Sequence, residues 1–225
     1  MMIQPMLGYD HLEFHWTGHD GFRIVDTKGG RIIYIDPYQL TNKQKGRKDA
    51  DIILISHNHF DHLSNEDLKD LANSSTEIVT ASECIEKLHD LPTDKIRALK
   101  PGERTLVKDV SIEAIRAYNI NKKFHPKGDN KIGFVIAIDN HRIYHAGDTD
   151  IIPEMEGLNP DIAMLPVSGT YVMTADEAAK ATNELIKPSK FAIPMHYGII
   201  VGSKDDADKF KALVKVCQVT ILEKE

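Results

Sequence analysis

The stretch Asp51-Ile52-Ile53-Leu54-Ile55-Ser56-His57-Asn58-His59-Phe60-Asp61-His62 passes in one step from an apolar run to a cluster of titratable side chains. Ile52 to Ile55 is apolar on both faces and largely β-branched, which predicts a strand buried from both sides. Behind it stand three imidazoles and one carboxylate within six positions. Neutral imidazole nitrogen and carboxylate oxygen are the donors that borderline divalent ions such as zinc accept, and manganese or iron also take them. On an extended segment His57 and His59 would reach one ion from one side. After the chain bends, Asp61 and His62 would reach a second. The bland alternative is a hydrated polar turn whose histidines cap the next helix; the strand-to-helix context favours metal.

Upstream, His11 to Trp16, Phe22 to Thr27 and Arg31 to Ile35 read as strands, the last pair joined by Lys28-Gly29-Gly30 and closed by Asp36-Pro37, which together suggest a meander. The loop from Thr41 to Lys48 carries Lys43, Lys45, Arg47 and Lys48, the pattern of a solvated loop. Downstream, Asn65 to Ala72 reads as a helix capped by Ser64, with Asp67 completing an acidic capping box. Glu77 to Thr80 reads as a strand and Ser82 to His89 as a helix. Strands resume at Thr105 to Val107, Val110 to Tyr118, Ile132 to Ile138, Arg142 to Ala146, Ile162 to Pro166, Phe191 to Ile193 and Gln218 to Leu222. Helices are expected at Ala175 to Ile186 and Lys204 to Val214. This mixture of hairpins and helices predicts an α/β layered (α+β) fold, two packed sheets with outer helices, as one domain over residues 1–225. A short internal echo links Gly30 to Asp36 with His141 to Asp148, since both run from a turn through a strand to an aspartate.

One cluster does not complete two coordination shells, so topology must bring in further donors. Val110 to Tyr118 runs out into the loop holding His125, Ile132 to Ile138 runs back, and Arg142 to Ala146 returns to deliver Asp148. His125 and Asp148 therefore share a sheet edge. His141, in the hairpin turn, lies at the far edge and is excluded as a ligand, and His145 reads as a partly buried strand histidine. Gly147 allows close backbone approach before Asp148. His196, in Pro194-Met195-His196-Tyr197-Gly198, sits just past another strand end, where layered α/β proteins build sites.

H-x-H-x-D-H at His57 to His62, Gly147-Asp148-Thr149 and Pro194-Met195-His196-Tyr197-Gly198 resemble the metallo-β-lactamase superfamily, in particular its small prokaryotic metal-dependent hydrolases, the ascorbate-6-phosphate lactonase-like branch. Gly18-His19-Asp20 and Asp36-Pro37-Tyr38 are similar to that branch too, so the resemblance runs from about Gly18 to Ser203. It implies an αββα sandwich of two mixed sheets flanked by helices. It also implies that His57, His59 and His125 hold one metal, that Asp61, His62 and His196 hold the other, and that Asp148 bridges them. Ser168 stands where relatives often have glycine.

Two such ions would activate a bridging water and polarise a scissile carbonyl or phosphoryl group. The expected activity is hydrolysis of a small ester, lactone or phosphodiester, with zinc first among the metals and manganese, iron or nickel as alternatives. Asp61 would orient the nucleophile and take up its proton. Asp36 is a candidate for fixing an imidazole tautomer, and His19, Tyr38, Tyr171 and Tyr197 are candidate substrate contacts from the loops. An exposed Lys127 could meet an anionic substrate. An iron-dependent oxidoreductase of the same fold and a non-catalytic metal-binding protein are the competing readings.

Composition narrows the partners. The 225 residues are 41% hydrophobic and 28% charged with a formal charge of −6, which suits an ordinary globular domain and gives no basic excess for nucleic acid. The two cysteines, Cys84 and Cys217, form neither a disulfide framework nor a thiolate site. No apolar run is long enough to span a bilayer and the opening residues lack an export signal, so a small-molecule substrate in a reducing cytoplasm is expected.

Overall fold

The computed structural model describes residues 4–225. The chain forms two compact units, residues 1–99 with 222–225 and residues 100–221.

The first unit is a seven-stranded sheet in sequential order. Its strands are β1 (Leu7–Tyr9), β2 (Leu12–Gly18), β3 (Gly21–Asp26), β4 (Arg31–Ile35), β5 (Ile52–Ile55), β6 (Glu77–Ala81) and β7 (Ile96–Leu99). β1 to β4 pair antiparallel, and β4 to β7 pair parallel. Antiparallel β2 alternates, with Leu12, Phe14 and Trp16 buried and Glu13 and His15 less so, whereas parallel β5 is buried throughout. That is the difference expected between a strand covered on one face and a strand covered on both. The last residues of the chain return to this unit: Lys224 bridges Trp16, and Arg23 donates through Nε to the Glu225 carboxylate at 3.0 Å.

The second unit repeats that plan. β8 (Arg104–Val107), β9 (Val110–Arg116), β10 (Ile132–Ile138), β11 (His141–His145), β12 (Ile162–Pro166), β13 (Phe191–Met195) and β14 (Gln218–Val219) again lie in sequential order. β8 to β11 pair antiparallel and β11 to β14 parallel. β4 and β11 therefore occupy equivalent places, and they are the strands that carry the internal echo.

Helices are few and short. α1 (Asn65–Leu71) is capped by the Ser64 hydroxyl, which accepts from Asp67 N. The Asp67 carboxylate does not complete the capping box; it accepts instead from Gln39 N and Leu40 N at 3.0 and 3.1 Å, tying the loop after β4 to the helix. Ser82–Lys87 is a 3₁₀ turn rather than a helix to His89, and no side chain caps its start. α2 (Ala175–Ala181) starts with a full Thr174–Glu177 capping box and continues as a π-turn over Thr182–Ile186, where Thr182 Oγ1 donates back to Ala178 O at 2.7 Å. α3 spans Lys204–Leu213. Among the described residues, no helix is long and apolar enough to cross a membrane.

Gly133 shows how tightly the second sheet is built. A Cβ there would lie 2.5 Å from the carbonyl oxygens of both His145 and Ala146, at the end of the strand that delivers Asp148. Backbone cannot yield as a flexible side chain does. Gly133→Ala is expected to destabilise the protein by about 1–3 kcal/mol; an unchanged urea midpoint would contradict this packing.

Candidate metal centre

Parallel strands point their C-terminal ends to one edge, so topology gathers functional groups there. In the first unit β2, β4 and β5 run the same way and end at His19, Asp36 and Ser56. Asp36 is fully buried and accepts from Ser56 N at 2.7 Å and from Ser56 Oγ at 2.5 Å. Its Oδ2 also lies 2.9 Å from His62 Nδ1. A carboxylate only accepts, so His62 Nδ1 carries the proton and Nε2 becomes the basic nitrogen. Ser56 Oγ spends its hydrogen on Asp36 and so accepts from His57 Nδ1 at 2.9 Å. One buried carboxylate thus sets two imidazoles, His62 directly and His57 through a hydroxyl.

His57 Nε2 then faces His59 Nδ1 at 3.2 Å. Two nitrogen ligands about 2.0–2.1 Å from a tetrahedral zinc lie about 3.3 Å apart, so the pair fits a shared ion. Asp61 Oδ2 lies 4.0 Å from His62 Nε2 and 3.1 Å from His19 Nε2. His19 is only 1% exposed; its partner is Asp61, and its carbonyl accepts from Trp16 Nε1 at 2.9 Å. The H-x-H-x-D-H loop is clamped from outside as well, by Asn58 N donating to Glu83 and Lys87 Nζ donating to Asn58 O.

In the second unit β9, β11, β12 and β13 supply the ends. His125 Nδ1 lies 3.3 Å from Asp148 O, an acceptor only, which leaves Nε2 basic at 3.6 Å from Asp148 Oδ2. Ser168 Oγ donates to Thr170 O at 3.4 Å and accepts from His196 Nδ1 at 2.9 Å. His196 Nε2 then lies 3.4 Å from Asp148 Oδ1. The two oxygens of Asp148 therefore face two different imidazoles, the arrangement of a carboxylate that bridges. The donors fit divalent metal in chemistry and in spacing.

The loop that carries His125 is fixed at both ends. Asn119 N donates to His125 O at 2.7 Å, and Asn119 Nδ2 donates to the carbonyls of Phe124 and Tyr171. Four site residues, His19, Asp36, His125 and His196, have φ of 53°, 41°, 62° and 58°. Non-glycine residues hold that conformation at a cost of about 1–3 kcal/mol each, and such strain gathers at functional sites.

The remaining candidates divide. Tyr197 is buried, and burial followed by the Asp208 charge raises its hydroxyl pKa above the ordinary range, so it packs rather than reaching outward. Lys127 is engaged: bonds to Tyr118 Oη and Glu154 hold its ammonium above the usual lysine range. His145 is fully buried on β11 and accepts from Gly147 N, and His141 begins that strand. Ser56, Glu83 and Asn119 are contributors that the sequence reading passed over, and Ser168 was noted there without an orienting role. Their only signal was position, beside a donor or one strand end from it.

A family model described as a β-lactamase superfamily domain matches residues 13–196, from β2 to His196. The chain belongs to that superfamily. A UPF0173 metal-dependent hydrolase of Thermoplasma acidophilum is 33% identical over 91% of both chains, and another of Thermococcus onnurineus is 33% identical over 90% of this chain and 92% of its own. A candidate metal-dependent hydrolase of Parabacteroides distasonis superposes with a TM-score of 0.77 at 32% identity, covering 95% of this chain and 94% of its own. A metallo-β-lactamase fold protein of Bacillus subtilis, 14% identical over 92% and 90% of the two chains, shares the fold with a TM-score of 0.69. The two mixed seven-stranded sheets with their few helices are thus the α/β sandwich of this superfamily.

Asp36 is placed to govern its donors from behind. In Asp36→Asn one oxygen becomes an amide donor facing a protonated partner, and metal affinity should fall about 10- to 100-fold. Chelator competition measures it, with circular dichroism to verify folding; wild-type affinity in a folded variant would refute the role.

Proposed function

We propose that this metal-dependent hydrolase of the β-lactamase superfamily cleaves a small ester, lactone or phosphodiester at a binuclear centre, zinc first among the metals. His57, His59, Asp61, His62, His125, Asp148 and His196 are its ligands, and Asp148 bridges. The observation that carries this reading is Asp148, whose Oδ1 and Oδ2 lie 3.4 and 3.6 Å from the Nε2 atoms of His196 and His125. When bound, such ions bring the pKa of water close to 7 and polarise the scissile group.

The chain's own residues do the rest. Asp36, Ser56, Ser168 and the carbonyl of Asp148 hold four imidazoles by Nδ1, so each presents Nε2 without reorganisation. Asp61, steadied by His19, orients the attacking water and accepts its proton. The free cysteines Cys84 and Cys217 support a reducing, cytoplasmic setting, and the charge of −6 supports a small-molecule substrate over nucleic acid.

Asp148→Asn or His59→Ala should strip one or both metals and abolish hydrolysis. Elemental analysis beside an ester, lactone, thioester and phosphodiester panel tests this; full metal content with full activity in either variant would sink the assignment.

A further inference from the structure

Scattered apolar side chains on a surface are ordinary, but a cluster beside a reactive group is informative. Among the described residues nine large hydrophobic side chains are exposed, and only Phe60, Phe124 and Tyr171 among them are aromatic. Each unit, taken by itself, carries such rings next in sequence to its own candidate metal donors. In the first, Phe60 stands between His59 and Asp61, is 68% exposed, and meets the ring of Tyr38 edge-on at 5.8 Å. In the second, Phe124 directly precedes His125 and meets Tyr171 edge-on at 5.4 Å. Asn119 donates to the carbonyls of both residues, so this pair is held by the same side chain that fixes the His125 loop. Ile120 lies on that loop, and Ile200 follows His196 by four positions; both are exposed.

Two of the three cations nearby are committed to carboxylates. Lys122 pairs with Asp150, Lys127 with Glu154, and Lys123 lies over the Phe124 ring. An exposed aromatic pair with engaged cations suits an apolar group and offers little to a phosphate, which would require donors aimed at its oxygens.

We propose that the Phe124–Tyr171 pair binds the apolar acyl or aryl part of the substrate, so that the enzyme acts on uncharged esters, lactones or thioesters of apolar acids rather than on phosphorylated compounds. This rests on the metal-dependent reading above and narrows it. The Phe124–Tyr171 pair is then specificity-determining, next to the candidate donor His125 in its own unit.

The test separates the two readings by using a metal-chelating headgroup with a variable tail. Acetohydroxamate, butanohydroxamate and octanohydroxamate are titrated calorimetrically into the metal-loaded protein. Kd should fall about three- to fourfold per added methylene over the first carbons. Phe124→Ala and Tyr171→Ala should each cut the octano-to-aceto affinity ratio by about tenfold. Leu106→Ala and Val216→Ala, exposed apolar positions elsewhere in the second unit, should keep the wild-type ratio. A chain-length profile that is flat, or a ratio unchanged in the Phe124 and Tyr171 variants, would overturn the apolar-substrate inference alone. Failure of every hydroxamate to bind, acetohydroxamate included, would overturn the metal-centre reading beneath it.

Discussion

Asp36 is the constraint around which the first half of the candidate centre is organised. A carboxylate with no exposed surface is costly unless its oxygens are occupied, and leaving one such bond unmade costs about 1–3 kcal/mol. Here the need for partners and the need for oriented imidazoles are met by the same bonds. Ser56 N, Ser56 Oγ and His62 Nδ1 satisfy Asp36, and through Ser56 Oγ the effect reaches His57. The tautomers of two donors follow from the burial of one acid.

The second unit reaches a related end by different means. Its strands have the same sequence of antiparallel and parallel pairings as the first, and the aspartate that follows its fourth strand is again at the centre. But Asp148 turns its carboxylate toward two basic Nε2 atoms, while a backbone carbonyl and Ser168 take over the anchoring of Nδ1. Asp36, one residue past β4, is an orienting acid, whereas Asp148, three residues past β11, is a candidate bridging ligand. Left-handed backbone at His19, Asp36, His125 and His196 is the local cost of turning side chains back over the strand ends.

Much of this was legible where chemistry and periodicity coincide. β4, β5, β10 and β12 match their expected bounds because β-branched runs end at turn residues, and the shared edge of His125 and Asp148 followed from strand reversal alone. β1 and β7 escaped notice because Leu7–Tyr9 and Ile96–Leu99 are short edge strands, specified more by the neighbour they pair with than by their own composition. The expected helix over Ser82 to His89 shrank to a 3₁₀ turn because Ala81 supplies no cap. Ser56 and Ser168 were invisible as orienting groups, since a serine hydroxyl has many uses and only three-dimensional placement reveals a bond to an imidazole. Asp67 followed the same logic in reverse: its capping role looked complete in sequence, yet a distant loop claimed its carboxylate.

The central claim is that nitrogen and oxygen donors from this chain hold a pair of metals bridged by Asp148. X-ray absorption at the metal edge of the loaded protein tests it most directly. The account predicts two ions per chain, coordination by nitrogen and oxygen alone, and a metal–metal vector of about 3.5–4 Å. A sulfur scatterer at about 2.3 Å, or a single ion with no second metal in range, would contradict it.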